Sequence, residues 1–321
     1  MEIHLANPTH YEGIATVYNA LYPQNTMTAA DIADNEKRRD PKFKYQRWVA
    51  IAGEQVVGVG LHNQSIWFAH PQKFTLWIGV LPSHQGCGYG AALYDAIIKG
   101  LHSYHPIALR VTITGDCSQS IRFLEKRGFN EVIRDVRSEL AVSTFDLTRF
   151  TGLEDRFRAN GIEIKTLPEL EKDPERNQKL YDLDWELSMD VPGDLAAGMG
   201  RRRLDKYIEY AITGPFALPE GFFVAVKGDE FIGLSHVLLS QKDTILFQGL
   251  TGVKSPYRRQ GIGLALKVRV IKYARIAGYT IIKAENDAQN SPMLAMNERL
   301  GYVRHSDLIT FEKQLQQAEG A

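Results

Sequence analysis

The sequence predicts an α/β (α+β) chain folded as two similar domains, and three observations carry that expectation. The chain has 321 residues, and at about 100–200 residues per domain two cores are expected rather than one. Trp48-Val-Ala-Ile-Ala-Gly53-Glu54-Gln-Val-Val-Gly58 is echoed, at an offset of 175 residues, by Phe223-Val-Ala-Val-Lys-Gly228-Asp229-Glu-Phe-Ile-Gly233. Farther on, Gln85-Gly86-Cys87-Gly88-Tyr89-Gly90 matches Arg258-Arg259-Gln260-Gly261-Ile262-Gly263, and Glu125-Lys-Arg-Gly128-Phe129 matches Glu298-Arg-Leu-Gly301-Tyr302, both at an offset of 173. A register held from one motif to the next marks a tandem duplication.

The elements follow in order within each half. Glu2-Ile-His-Leu and Ile162-Glu-Ile-Lys open the halves as short strands. The Gly53-Glu54 and Gly228-Asp229 steps, each between two apolar runs, predict β-hairpins. A strand ending at Val80 or Val253 carries a glycine one residue from its end, Gly79 or Gly252, which usually signals a bulge or a close backbone approach, and its repetition in both halves favours the approach of something. After each glycine cluster, Leu93, Ile97 and Leu101, or Leu266, Val270 and Ala274, form the stripe of a core-facing helix. Short strands follow at Ala108–Ile113 and Thr280–Glu285. Between the halves, Asp146 caps a connector helix with apolar face Leu147, Phe150, Leu153 and Phe157, stopped by Asn160-Gly161. The expected domains are residues 1–145 and 161–321, joined by a connector helix over 146–160.

Composition excludes several classes. Hydrophobic residues at 44% and charged residues at 24% are those of an ordinary globular chain, not of a disordered or collagen-like one. Lys+Arg and Asp+Glu balance at 38 each, so no general field favours nucleic acid or an anionic membrane. Two cysteines, Cys87 and Cys117, cannot build a disulfide framework and fit a reducing compartment. The first residues lack the pattern of a signal peptide, and no apolar run approaches the roughly 20 residues of a membrane span. The expectation is a cytoplasmic protein with no nucleic-acid or membrane partner. The histidines His62, His84, His236 and His305 show no metal-ligand spacing, so no metal is expected.

The glycine cluster between strand and helix presents backbone N–H groups and the positive end of a helix dipole, which together suit a phosphate. Neither half has the Gly-Lys-Ser/Thr of a P-loop. Gly86, Gly88 and Ala91 fit a dinucleotide fingerprint, but Leu266 stands at the last place in the second half. Both halves fit R/Q-x-x-G-x-G/A, as Gln85-x-x-Gly88-x-Gly90 and Arg258-x-x-Gly261-x-Gly263.

On these motifs both halves resemble the GNAT superfamily of acetyl-CoA-dependent N-acetyltransferases. The second half is the more similar, through Tyr257-Arg-Arg-Gln-Gly-Ile-Gly263 and Asn290-Ser-Pro-Met-Leu-Ala-Met-Asn-Glu-Arg-Leu-Gly-Tyr302. The tandem arrangement resembles that of mycothiol synthase and related two-GNAT proteins. The resemblance implies two domains, each a mixed, mostly antiparallel splayed sheet flanked by helices. It implies acetyl-CoA as cosubstrate, no metal, a small-molecule or peptide amine as acceptor, and a monomer or homodimer. It assigns CoA contacts to Thr251, Val253, Arg258, Arg259, Gln260, Gly261, Ile262, Gly263 and Leu264, and to Val80, Gln85, Gly86, Cys87, Gly88, Tyr89 and Gly90 in the first half.

An amine acceptor, with a pKa of about 10.4 like that of lysine, is mostly protonated at neutral pH and needs a base, whereas a thiol leaves tolerably as thiolate. By position in the family pattern, Glu285 is the base and Asn290 the CoA contact, while Asn297 stands where many members carry a tyrosine acid. The first half has Thr112, Cys117 and Leu124 at these places, so chemistry is expected in the second half and the first is read as a degenerate copy. Each residue also has a plainer reading: Glu285 as a solvated acid, Asn290 as a helix N-cap, Asn297 as a surface residue. Asp190 and Asp194 flank an acid-Pro-Gly turn on the expected acceptor side and are candidate substrate residues. The run Arg201-Arg202-Arg203 reads as a solvated helix face or a contact for an acidic group. A catalytically silent acyl-CoA sensor or scaffold is the alternative function, since the tyrosine is absent from both halves.

Overall fold

Both predicted hairpins form. In the computed structural model, which describes residues 1–64, 70–192, 201–240 and 244–315, strands β2 (Tyr45–Ala52) and β3 (Gln55–Gln64) turn through Gly53 at φ 61°. Strands β8 (Ala217–Lys227) and β9 (Glu230–Leu239) do the same through Gly228 at φ 57°. Both glycines occupy the left-handed region, which only glycine enters without a Cβ penalty.

The first half continues the expected order, from β1 (Glu2–Leu5) through α1 (Tyr11–Leu21) and α2 (Ala29–Lys37) to the hairpin. Then come β4 (Lys73–Val80), α3 (Tyr89–Leu101), β5 (Ala108–Thr114), α4 (Ser118–Glu125) and β6 (Asn130–Ala141). Thr28 caps α2 by accepting from the Asp31 N–H, while the Asp31 carboxylate returns to the Thr28 N–H at 2.8 Å. The second half repeats this as β7 (Ile162–Thr166), preceded by the short α5 (Asp155–Arg158), then α6 (Arg176–Met189), α7 (Leu204–Ile208) and the hairpin. It closes with β10 (Ile245–Val253), α8 (Ile262–Ile276), β11 (Ile281–Asp287), α9 (Ser291–Arg299), β12 (Val303–Arg304) and β13 (Leu308–Gln314).

The contiguous domains expected from the sequence are not the units the structure forms. One unit comprises residues 1–113 and 117–132 plus the chain from Thr310; the other comprises 114–116 and 133–309. The last strand of each half leaves its own half. In the second unit β6 pairs antiparallel with β11, from Ile281↔Ala141 to Asp287↔Asp135, and the strand order is β6-β11-β10-β9-β8-β7. In the first unit the order is β1-β2-β3-β4-β5-β13. There Arg110 pairs with Glu312, and the Thr112 and Thr310 hydroxyls lie 2.9 Å apart, which sets β13 antiparallel to β5. Local sequence cannot foresee this exchange, because any strand satisfies the hydrogen bonds of an open edge.

The predicted stripes on α3 and α8 are buried. In the second unit Leu266, Val270 and Ala274 pack with Leu246, Ile282 and Ala284 on one face of the sheet, while α6 covers the other through Leu180, Leu183 and Leu187. The connector is not the single helix expected. Asp146 accepts from the Thr148 N–H and starts a 3₁₀ turn over Leu147–Phe150, Gly152 at φ 71° breaks it, and only Asp155–Arg158 is α-helical. Phe157 is buried nonetheless, and Leu147, Phe150 and Leu153 pack against the second unit's core.

Candidate functional site

In each unit the two parallel strands part company. β10 and β11 pair only from Ile245↔Ile281 to Phe247↔Lys283, and β4 and β5 only from Lys73↔Ala108 to Thr75↔Arg110. In the second unit β10 also shifts register against β9 between Gln248 and Thr251, an irregularity that bends a strand. β3 and β4 pair without such a shift in the first unit. Gly249 lies at the bulge because a Cβ there would come within 2.2 Å of His236 Nε2. His236 is fully buried and stacked on Phe222 at 4.7 Å, and burial pulls its imidazole down to about 4, so it is neutral at physiological pH. Beyond the bulge, the Lys254 N–H donates to Ile232 O at 2.8 Å. Alternation along the strand therefore turns the Val253 N–H toward the gap left by β11. Val80 has the same aspect in the first unit, since the next N–H, of Leu81, donates to Val57 O at 2.9 Å.

The loop beyond each strand is shaped to hold an anion. Gly86 and Gly88 have φ of 77° and 89°; their counterparts Arg259 and Gly261 have 62° and 87°. Left-handed residues alternating with ordinary ones gather successive N–H groups into a concavity. The first helical bonds run from Ala92 N–H to Gly88 O and from Ala265 N–H to Gly261 O. The amides of residues 89–91 and 262–264 therefore have no partner within their helices and face the same concavity. Arg259 holds its conformation at a cost of about 1 kcal/mol that glycine avoids, and so places a guanidinium where the first unit has none.

A groove of 1060 Å³ leads from this loop along β10 in the second unit, and one of 320 Å³ occupies the corresponding place in the first. Thr251, Val253 and every residue from Arg258 to Leu264 line the larger groove, as do Asn290 and Asp190. Arg156, Arg259 and Arg299 also line it and have no carboxylate partner among the described residues. Arg258 does not reach into the groove as a bare cation. Its Nε donates to Val253 O at 2.8 Å and its Nη2 binds the Asp190 carboxylate, so it braces the strand end. Gln85 makes the same brace through Nε2 to Val80 O at 3.0 Å. Asp190, expected on the substrate, is thus paired with Arg258; Asp194 lies outside the described residues. In the smaller groove Val80, Gln85, Gly86, Gly88 and Gly90 are lining residues, whereas Cys87 is exposed and Tyr89 packs edge-on against His84.

The remaining expected residues have differing surroundings. The close approach expected at Gly79 and Gly252 is that of helix side chains, since a Cβ would meet Leu21 Cδ1 at 2.5 Å and Leu187 Cβ at 3.1 Å, and Gly252 also lines the larger groove. Asn297 is neither on the surface nor in the groove; it is 3% exposed, accepts from Lys267 Nζ at 2.6 Å and donates to Asn286 Oδ1 at 2.7 Å. Asn290 is an N-cap, accepting from the Met293 N–H at 3.3 Å, and also a lining residue, so the two readings coexist. Glu285 is exposed on β11 and does not line the groove; strand alternation puts it on the face opposite Ile282 and Ala284, beside Asp287 and Asp135. Burial, then the charges of Asp287 and Glu285, push the Asp135 carboxyl up to about 6. The arginine run is spent on local contacts, with Arg201 on Asp182 and over the Tyr181 ring at 3.8 Å, and Arg203 on Asp205 at 3.0 Å.

Sequence reasoning missed Lys267, whose ammonium is fully buried, 4.8 Å from the Tyr302 ring centroid, and pulled down to about 7 by desolvation. The available signal was a lysine beside the apolar stripe of α8, where the first unit has Tyr94. It also missed Arg156 and Leu153, which the connector brings to the groove.

Grooves, glycine loops at helix N-termini and parted strands of this kind recur in both units, and the class they belong to is given by comparison with known families. An acetyltransferase (GNAT) domain model matches residues 44–131 and an acetyltransferase (GNAT) family model matches residues 179–302. The chain belongs to the GNAT acetyltransferases, carries two GNAT domains in tandem, and is an N-acetyltransferase. It is 25% identical over 244 residues to a mycothiol acetyltransferase from Nocardiopsis dassonvillei, over 70% of this chain and 69% of that one. A GCN5-related N-acetyltransferase from Sphaerobacter thermophilus shares its fold with a TM-score of 0.71 at 14% identity, covering 98% of this chain and 95% of the other. A tandem GNAT protein from the clavulanic acid biosynthesis pathway does so with a TM-score of 0.68 at 14% identity, covering 98% of each. Among the described residues no helix is long and apolar enough to cross a membrane.

Proposed function

We propose that the second unit transfers acetyl from acetyl-CoA to the amine of a small molecule by direct attack, while the first unit is a copy without chemistry. The observation that carries this reading is the asymmetry of the two grooves. Both have the glycine loop at a helix N-terminus, but only the second adds the β10 bulge and Asn290, and it has three guanidiniums without carboxylate partners where the first has Arg127. These residues fit the donor. The amides of residues 262–264 and the Arg259 nest suit a diphosphate, Arg156 and Arg299 suit its remaining charge, and the gap beside Val253 suits an extended arm. The Val253 N–H then faces the carbonyl oxygen on which negative charge develops. Glu285 is the base in this reading, on the sheet face away from α8, taking a proton from the ammonium before attack. Lys267, Asn297 and Asn286 fasten β11 to α8 and α9 beyond the point of parting. They act by position, without touching the reacting atoms.

The relatives called mycothiol acetyltransferase make mycothiol-type amines the first acceptors to assay. Thiol release from acetyl-CoA, measured with a panel of amines, tests the reading. Gly261→Asp places a carboxylate in the anion loop and abolishes turnover, whereas Gly88→Asp leaves it within a fewfold. Equal loss in both variants, or loss only in the second, refutes the assignment to the second unit. Glu285→Gln lowers turnover and moves the pH profile; an unchanged profile removes Glu285 as base.

A further inference from the structure

The first unit has a cavity on the sheet face away from α3, and nothing in the acetyl-transfer reading uses it. It encloses 370 Å³, within the range of about 300–1,000 Å³ common for small-molecule sites. Tyr18, Tyr22 and Trp77 form one wall, with ring centroids 4.8 to 6.3 Å apart, and the Trp77 indole N–H donates to the Tyr22 hydroxyl at 3.0 Å. Ile14, Val59 and Leu61 supply apolar surface, and Arg47 brings a cation. The entrance segment is held in place, because Asn19 bonds both the N–H and the carbonyl of Met27, at 2.8 and 2.9 Å.

The charges in this corner do not balance. Arg47 and Arg39 share the single carboxylate of Glu36, at 3.2 and 3.5 Å. Arg47 Nη1 is buried with no acceptor in hydrogen-bond geometry among the described residues, and its polar neighbour is the buried Tyr45 hydroxyl, which is likewise unpartnered by geometry. A buried guanidinium nitrogen without an acceptor is costly, and a carboxylate presents two acceptors in the geometry of its fork. The same excess of positive charge opposes an ammonium ligand, although the aromatic wall alone would suit one. The arrangement is particular to the first unit. Leu250 stands in the second at the place of Trp77, and Asp184 and Ser188 stand at those of Tyr18 and Tyr22, taking Leu21 and Leu187 as equivalent.

We propose that this cavity binds an organic carboxylate with an aromatic body, its carboxylate on Arg47 and its ring against Tyr18, Tyr22 and Trp77. The site is independent of the first unit's groove, which lies on the other face of β4 through Leu76, Ile78 and Val80.

Calorimetric titration of the intact chain with 3-phenylpropionate, 3-phenylpropionamide and phenethylamine tests it. The acid binds once per chain, at least about tenfold more tightly than the amide, as the loss of a charge-assisted hydrogen bond requires. Saturating CoA does not displace it. Arg47→Gln removes the preference for acid over amide, and Trp77→Leu weakens acid and amide alike. Arg47→Lys, which retains charge but not the fork, binds the acid with intermediate affinity and covers the case in which the glutamine variant fails to fold. Absence of saturable binding of 3-phenylpropionate, equal affinity for acid and amide, preference for the amine, or displacement by CoA each overturns the proposal.

Discussion

Replacing Lys267 by methionine should change how the second unit's stability depends on pH. In the folded chain the ammonium is fully buried and its pKa falls from 10.5 to about 7, with desolvation the cause. The unfolded chain, with an ordinary lysine, binds a proton throughout the interval between those values, and the folded chain increasingly does not. Stability therefore rises with pH across the interval, by about 1.36 kcal/mol per unit at most, and is flat below pH 7. The difference between wild type and Lys267→Met should shift in favour of wild type by about 2–3 kcal/mol between pH 7 and pH 9. Methionine also leaves Asn297 Oδ1 without its donor, a penalty of about 1–3 kcal/mol that does not vary with pH and leaves the slope intact. Pulse proteolysis in urea at pH 6, 7, 8 and 9, with peptides from residues 262–299 quantified, reads this unit alone. Curves for the two proteins that stay parallel from pH 7 to pH 9 would refute the claim that Lys267 is neutralised by burial.

Two other expectations concern how the fold is held. Gly249→Ala drives a Cβ into the His236 ring and should destabilise the second unit by about 1–3 kcal/mol, with partial recovery on adding His236→Ala, read by urea midpoints. A chain ending at Asp307 keeps every residue matched by both family models, yet it lacks β13 and the Glu312 carboxylate buried against Arg110. Its first unit should lose protection from hydrogen exchange across residues 45–113 while the second retains it; unchanged protection of β5 would contradict the strand exchange.

Much of this protein was legible before its fold was known. The duplication, the hairpins turning at Gly53 and Gly228, the stripes on α3 and α8, and the glycine loops that open these helices follow from local patterns. A two-residue turn, a helical period and an N-terminal glycine nest are built from neighbours in the chain, so a short stretch of sequence contains their physics. The site was legible to the same depth: the loop from Arg258 to Leu264 lines the groove, as its glycines and helix start require.

What stayed hidden depends on residues far apart in sequence. Gly252 signalled a close approach, but a missing Cβ does not say what fills its space, and Leu187 does. Asn297 looked like a site or surface residue because its partners, Lys267 and Asn286, come from two other elements. Arg258 reads in sequence as part of the CoA loop, and only the fold shows that Asp190, at the end of α6, pairs with it. The domain boundaries depended on which open edge each final strand would join. Local sequence determined the elements and their chemistry; tertiary structure decided which polar groups would be neutralised, which would be spent on bracing, and which would be left facing a groove. Packing makes that choice, because a charge or an amide acquires its energy from the groups brought against it.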